Sequence, residues 1–297
     1  MSWNLPRDLI GLIRLDQNEV PYSPPKNVIE AIVRGLKEVN RYPSPKEIKE
    51  LENLVAEYSK VPMEFISLSA GSEILILALI HLFAGNRGPV LTLHPSFFTI
   101  SEMDRRFKVF TDEIRLDEGY EVPSTILLEK AAKAPLIILD NPNNPTGKLL
   151  LSRDLIEELS TIASGVVVID EAYYEFSGFT ASDMVSEHEN LVILRTLSKA
   201  FALAGLRVGY AIAKGKIRRA LSMLSLEYTI SKPSLTAAIE ALRRPEYVNE
   251  IVDTISRERD RVRTILSKLG LKVPESRTNF LMVETRDPEI VKKLRER

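Results

Sequence analysis

Four short apolar runs, residues 89–93, 135–139, 165–169 and 191–194, punctuate the middle of the chain. Each is continuous rather than alternating. That pattern belongs to strands covered on both faces of a parallel sheet. Helical segments separate the runs, for example residues 153–163, which Ser152 can cap. This alternation predicts an α/β domain. In such a domain ligands bind beyond the C-terminal ends of the strands.

The polar residues at those ends are therefore the first places to look for chemistry. Asp140-Asn141-Pro142-Asn143-Asn144-Pro145-Thr146-Gly147 follows one run, and its prolines and glycine make a rigid turn. Asp170-Glu171-Ala172-Tyr173 follows the next. Asp170 is either a structural cap or a partner for a cationic heteroaromatic nitrogen. After residues 191–194 comes Arg195-Thr196-Leu197-Ser198-Lys199-Ala200-Phe201, and Arg207 lies beyond. Lys199 is either a solvated charge or a desolvated amine able to form an imine. His94, at the end of the first run, suits packing or hydrogen bonding better than general-base work.

Composition removes other chemistries. The 297 residues contain no cysteine, so disulfides, thiolate metal sites and thiol catalysis are excluded. Three histidines leave little for a histidine-based metal centre. The net charge is −1 and no basic run suggests nucleic acid. No apolar stretch reaches the length of a membrane span, and residues 1–8 do not read as a secretory leader. A cytoplasmic protein is expected.

Outside the alternating region, residues 14–24 read as an extended arm. Pro24 and Pro25 then open a helix with Val28, Ile29, Ile32, Val33 and Leu36 on its apolar positions. Ser44 and Glu47 form a capping box around Pro45. Gly71-Ser72-Glu73 precedes residues 74–83, apolar nearly all round and so expected to be buried on every side. The small residues there let an anion approach free helix amides, or simply cap the helix. Beyond Pro245 a long amphipathic helix runs from Val248 to Leu269 and stops at Gly270. A strand over 279–283 and a short helix capped by Asp287-Pro288 complete the pattern. The expected division is a large domain, residues 25–245, and a smaller α/β domain from residues 1–24 and 246–297.

An imine-forming lysine, an aspartate for a pyridinium nitrogen, and an arginine with helix amides for a phosphate are what pyridoxal 5′-phosphate requires. At this point the chain resembles fold-type-I pyridoxal-phosphate enzymes, and within them is similar to histidinol-phosphate aminotransferases. The matching segments are Leu15-Asp16-Gln17-Asn18-Glu19, Asn40-Arg41-Tyr42-Pro43, Gly71-Ser72-Glu73, Asn141 to Gly147, Asp170 to Tyr173 and Thr196 to Arg207. The resemblance implies a mixed, mostly parallel sheet with helices on both faces. It implies that Lys199 carries the cofactor as an aldimine and moves the substrate proton, and that Asp170 pairs with the ring nitrogen. Tyr173 and Asn144 would bond the ring's phenolic oxygen. Gly71, Ser72, Glu73, Thr196, Ser198 and Arg207 would bind the phosphate, and Phe97 would stack on the ring where the family has tyrosine. Tyr42 would reach the phosphate of the partner in a homodimer. No metal is implied.

The implied reaction moves an amino group between L-histidinol phosphate, or a related amino acid, and 2-oxoglutarate. A threonine-phosphate decarboxylase-like enzyme and a cofactor-binding protein with little turnover share the same motifs, because fold does not select the chemistry. The resemblance places the family's substrate-gripping arginine on strands beyond the last helix read here, so no residue of this sequence is expected to match it. Arg277 and Arg14 are the candidate substitutes. Glu227-Tyr228-Thr229 stands where the family has Pro-Tyr-Asn.

Overall fold

The computed structural model describes residues 15–97, 100, 108–224, 229–285 and 287–296. Its centre is a sheet of seven strands: β1 (Ile66–Ser69), β2 (Val90–His94), β3 (Thr111–Arg115), β4 (Leu136–Asp140), β5 (Val166–Asp170), β6 (Leu191–Thr196) and β7 (Gly209–Ile212). The order is β1-β7-β6-β5-β4-β2-β3. Strands β3, β2, β4, β5 and β6 run parallel, while β7 is antiparallel to both β6 and β1. The expected mixed, mostly parallel sheet is therefore present.

The helices are α1 (Lys26–Leu36), α2 (Pro45–Ser59), α3 (Ser72–Leu79), α4 (Ser124–Ala131), α5 (Arg153–Ile162), α6 (Gly215–Leu224), α7 (Lys232–Arg243), α8 (Glu246–Lys268) and α9 (Ile290–Arg295). Two apolar layers sandwich the sheet. Ile137, Leu139, Val167, Ile169 and Ile193 pack on one side with residues of α2, α5 and α7. Leu136, Ile138, Val166, Val168 and Val192 pack on the other with α3 and α6. Successive residues of a strand point to opposite faces. Covering both faces is what requires continuous rather than alternating apolar runs.

Local signals held where backbone chemistry controls them. The Glu47 amide donates to Ser44 Oγ at 3.3 Å and the Ser44 amide to Glu47 Oε2 at 2.8 Å, the reciprocal capping box. The Leu155 amide donates to Ser152 Oγ at 3.2 Å. Gly270, at φ +81°, follows α8 as expected.

Several expectations are corrected. Strands β1 and β3 carried no apolar run: β1 alternates Ile66 and Leu68 with serines, and β3 is a polar edge strand. Helix α3 is not buried all round, since Ile74 is 48% exposed. Residues 279–283 form no strand; one isolated bridge, Lys272 with Glu284, is the pairing there, and a strand without a neighbour has no ladder. Helix α8 buries Val248 and Ile251 but leaves Ile265 and Leu269 in the open. Arg14, Glu227 and Tyr228 lie outside the described residues. Among the described residues no helix is long and apolar enough to cross a membrane.

Candidate active site

A cavity of about 650 Å³ opens at the C-terminal ends of β2, β4, β5 and β6. Its wall includes Ser72, Glu73, Phe97, Asn144, Asp170, Tyr173, Thr196, Ser198, Lys199 and Arg207. The arm lines another part of it, through Asp16, Gln17 and Asn18. Sequence reading placed residues 15–19 among the family-like segments and Arg14 among the substrate-grip candidates, but gave Asp16, Gln17 and Asn18 no individual role.

Lys199 sits in the turn after β6. Its Nζ donates to the Gln17 carbonyl at 2.8 Å and lies 5.6 Å from the centre of the Tyr173 ring. Burial, reinforced by the nearby Arg207 charge, lowers its pKa to about 8, while Glu19 and Asp170 oppose the shift. Asp170 ends β5, directly opposite Asp140 in the β4–β5 register. Burial, with the Asp140 charge second, pushes Asp170 up to about 7. The Ala172 amide donates to its Oδ1 at 3.0 Å.

The hydroxyl of Tyr173 accepts from Asn18 Nδ2 at 3.1 Å and Asn144 Nδ2 at 3.5 Å. With amides on its acceptor side, the phenol is left as a donor. Burial raises its pKa further above the ordinary value, so that proton stays on the phenol.

At the other end of the cavity, Gly71 precedes α3 with φ +91°, a conformation that suits glycine. A Cβ built on Gly71 would lie 2.6 Å from Arg207 Nη2, so the guanidinium rests against bare backbone. Arg207 Nη1 donates to Ser198 Oγ at 3.2 Å, and Thr196 Oγ1 donates to the same oxygen at 2.9 Å. Helix amides, two hydroxyls and a guanidinium thus face one end of the cavity. That is the donor set for a dianion.

Gly209 on β7 permits this approach, since a Cβ there would lie 2.3 Å from the Ser72 amide nitrogen and 2.5 Å from the Gly71 carbonyl carbon. Backbone cannot yield as a side chain can. Gly209→Ala is expected to cost about 1–3 kcal/mol and to displace the Ser72 amide. A thermal melt with and without millimolar phosphate checks this: the variant should melt lower and gain less from the anion than the parent.

The structure gathers every residue read as cofactor-binding into or beside this cavity, with one exception. Tyr42 lies on the turn between α1 and α2, 76% exposed and away from the cavity wall. Arg277 is also outside the wall: its guanidinium pairs with Glu275 at 2.8 Å and its amide donates to the Gly147 carbonyl at 2.7 Å. Sequence reading missed Ser96, Asp140 as a wall residue in its own right, Gln17 and Asn18. Asp140 did carry a signal, a carboxylate at the end of a buried strand, but it was absorbed into the turn that follows.

The family model described as aminotransferase class I and II matches residues 10–297. The histidinol-phosphate aminotransferase of Sulfurisphaera tokodaii is 37% identical over 282 residues, covering 93% of this chain and 79% of that protein. The crystal structure of the histidinol-phosphate aminotransferase from Clostridium acetobutylicum superposes with a TM-score of 0.85 at 25% identity, covering 95% of this chain and 87% of that one. A histidinol-phosphate aminotransferase from Sinorhizobium meliloti, solved in complex with pyridoxal 5′-phosphate, shares the fold with a TM-score of 0.84 at 24% identity; 93% of this chain and 77% of that one are covered.

Proposed function

The chain belongs to the class I and II aminotransferases, and from that premise we propose that it moves an amino group between L-histidinol phosphate, or a related amino acid, and 2-oxoglutarate, with pyridoxal 5′-phosphate in the cavity. One observation carries the reading. A lysine of lowered pKa and a buried aspartate face one cavity, whose far end is lined by helix amides, hydroxyls and a guanidinium. The residues fit the cofactor. The cavity of about 650 Å³ has room for it. Gly71 and Gly209 hold open space that a Cβ would fill, and the donors suit a phosphate.

Bound there, pyridoxal 5′-phosphate supplies an aldehyde that condenses with primary amines and a protonated ring that withdraws electrons from the substrate's Cα–H bond. The chain's own residues do the rest. Lys199 Nζ would supply the amine that holds the cofactor and a base for the Cα proton. Asp170 stabilises a cationic ring nitrogen, and such a cation in turn favours its carboxylate over the protonated form. Tyr173 would donate a hydrogen bond to the phenolic oxygen, with Asn144 beside it. Phe97 offers an aromatic face for stacking. Ser72, Glu73, Thr196, Ser198 and Arg207 hold the phosphate.

The reading includes a cytoplasmic homodimer, with residues 25–245 as the cofactor domain and residues 1–24 and 246–297 as the smaller one. Exposed Ile29, Val33 and Leu36 on α1, close in sequence to Tyr42, support an intersubunit face. A monomer in sedimentation at micromolar concentration removes that part.

The test of the chemistry is a half-reaction. Protein loaded with pyridoxal 5′-phosphate is mixed with L-glutamate or histidinol phosphate. Loss of the bound-cofactor absorbance band with release of the oxo product is expected. Silence toward every amino donor would overturn the reading, and release of CO₂ from threonine phosphate without amino transfer would replace it with decarboxylation.

A further inference from the structure

Asp140 has no role in the chemistry set out above, yet it is among the most deeply committed groups in the cavity. It is 4% exposed and ends β4 opposite Asp170. Its Oδ1 accepts from Ser96 Oγ at 2.9 Å and from Asn143 Nδ2 at 3.0 Å. Its Oδ2 accepts from the Asn144 amide at 2.7 Å and the Phe97 amide at 3.3 Å. A carboxylate has about four acceptor sites, so this one is saturated by protein donors.

The donors come from two separate segments. Ser96 and Phe97 follow β2, and Asn143 and Asn144 belong to the rigid turn after β4. Asn143 strengthens the bridge, since its Nδ2 also donates to the Pro95 carbonyl at 3.0 Å. Its Oδ1 accepts from Thr146 Oγ1 at 2.6 Å. Through the Phe97 amide the carboxylate holds the aromatic ring. Through the Asn144 amide it holds the side chain that donates to the Tyr173 hydroxyl.

We propose that Asp140 is a positioning residue: its carboxylate ties the segment carrying Phe97 to the turn carrying Asn144, and so sets where the cofactor ring meets both. This rests on the cofactor reading above. Asp140 acts through those neighbours, because its oxygens have no acceptor site left for a ligand.

The alternative is that Asp140 acts only as a nearby negative charge. Asp170 and Tyr173 are the titratable groups that feel it. The two roles differ in sign. Removing a negative charge makes a neighbouring cation easier to deprotonate, so the pH midpoint of the bound-cofactor band falls. Releasing Asn144 removes a donor that favours the phenolate and thereby eases deprotonation, so the midpoint rises.

The experiment compares parent, Asp140→Asn, Asn144→Ala and the double variant. Each is titrated with pyridoxal 5′-phosphate by absorbance and then with pH. Asp140→Asn should bind the cofactor at least about tenfold more weakly, and its midpoint should move upward with that of Asn144→Ala. The double variant should move little beyond either single, as expected when two groups act as one unit. An unchanged affinity, a falling midpoint or additive shifts would each overturn the inference. If Asp140→Asn fails to fold, as judged by circular dichroism, Ser96→Ala takes its place. That variant keeps the carboxylate but loosens the Phe97 side, and should weaken cofactor binding about threefold; parental affinity overturns the inference. A parent that takes up no cofactor overturns the aminotransfer reading and this inference together, whereas a parent that loads normally beside an unaltered variant overturns only the latter.

Discussion

Lys199→Ala is expected to slow amino transfer from L-glutamate by at least about 10³-fold, within the range lost when a general base is removed. The loss should be in the chemical step. The groups assigned to the phosphate and ring nitrogen are untouched, so pyridoxal 5′-phosphate should still bind, without the absorbance band of the lysine-linked form. The physical basis is the amine's surroundings. A pKa near 8 instead of the ordinary 10.5 leaves roughly 300 times more neutral amine at pH 7. Only the neutral amine attacks an aldehyde. Uptake of cofactor by the parent should therefore accelerate with rising pH and level off above about 8. Stopped-flow absorbance after mixing apoprotein with cofactor measures both. A variant that transfers amino groups at the parental rate, or an uptake rate flat across this range, removes Lys199 from the mechanism.

Glu171→Ala is expected to be the most destabilising single change, by about 3–5 kcal/mol. Arg195 and Glu171 lie next to the catalytic strand ends, and each is 1% exposed. Arg195 donates to Glu171 Oε2 from Nε at 3.0 Å and Nη2 at 2.9 Å. Thr180 Oγ1 donates to the same carboxylate oxygen at 2.9 Å, and the Ala181 amide donates to Oε1 at 2.7 Å. Deleting the carboxylate leaves a buried guanidinium without its partner, together with two orphaned donors. Stacking on Tyr174, 3.7 Å from the guanidinium carbon, compensates only in part. The buried Glu175, whose pKa burial raises to about 7, is a second carboxylate that offsets part of the loss. A fall in Tm of about 10 °C is expected. Glu171→Gln keeps the shape and some of the acceptor capacity, so it should lose distinctly less. A melt showing Glu171→Ala within 1 °C of the parent would mean that the pair carries no net stability.

The sheet was largely legible in the sequence. Strands β2, β4, β5 and β6 are buried on both faces, and that burial imposes apolar runs which composition alone does not explain. Strand β3 escaped because an edge position tolerates polar residues on open surface, and β1 because serines fill half of its buried positions and break the apolar run. The candidate site was legible for a related reason. Asp170, Lys199 and their flanking residues sit in short turns after these strands, so locating the strands locates them. The contacts the arm makes within the site were not legible. Lys199 meets Gln17 across 182 residues of sequence, and Asn18 meets Tyr173 across 155. Asn279 Nδ2, 261 residues from Asn18, donates to the Asn18 carbonyl at 2.8 Å.

Residue order was enough to establish strands, caps and turns, because those follow from sterics and hydrogen bonding within a few residues of the backbone. It was also enough to mark Lys199 and Asp170 as neighbours at the C-terminal ends of adjacent strands, since a parallel sheet brings those ends together. Folding in three dimensions was needed to bring the arm over the lysine, to saturate Asp140 from two segments, and to leave Ile74 and Leu269 at the surface. These depend on how whole layers pack, where each contact's free energy is shared among residues that no local pattern links.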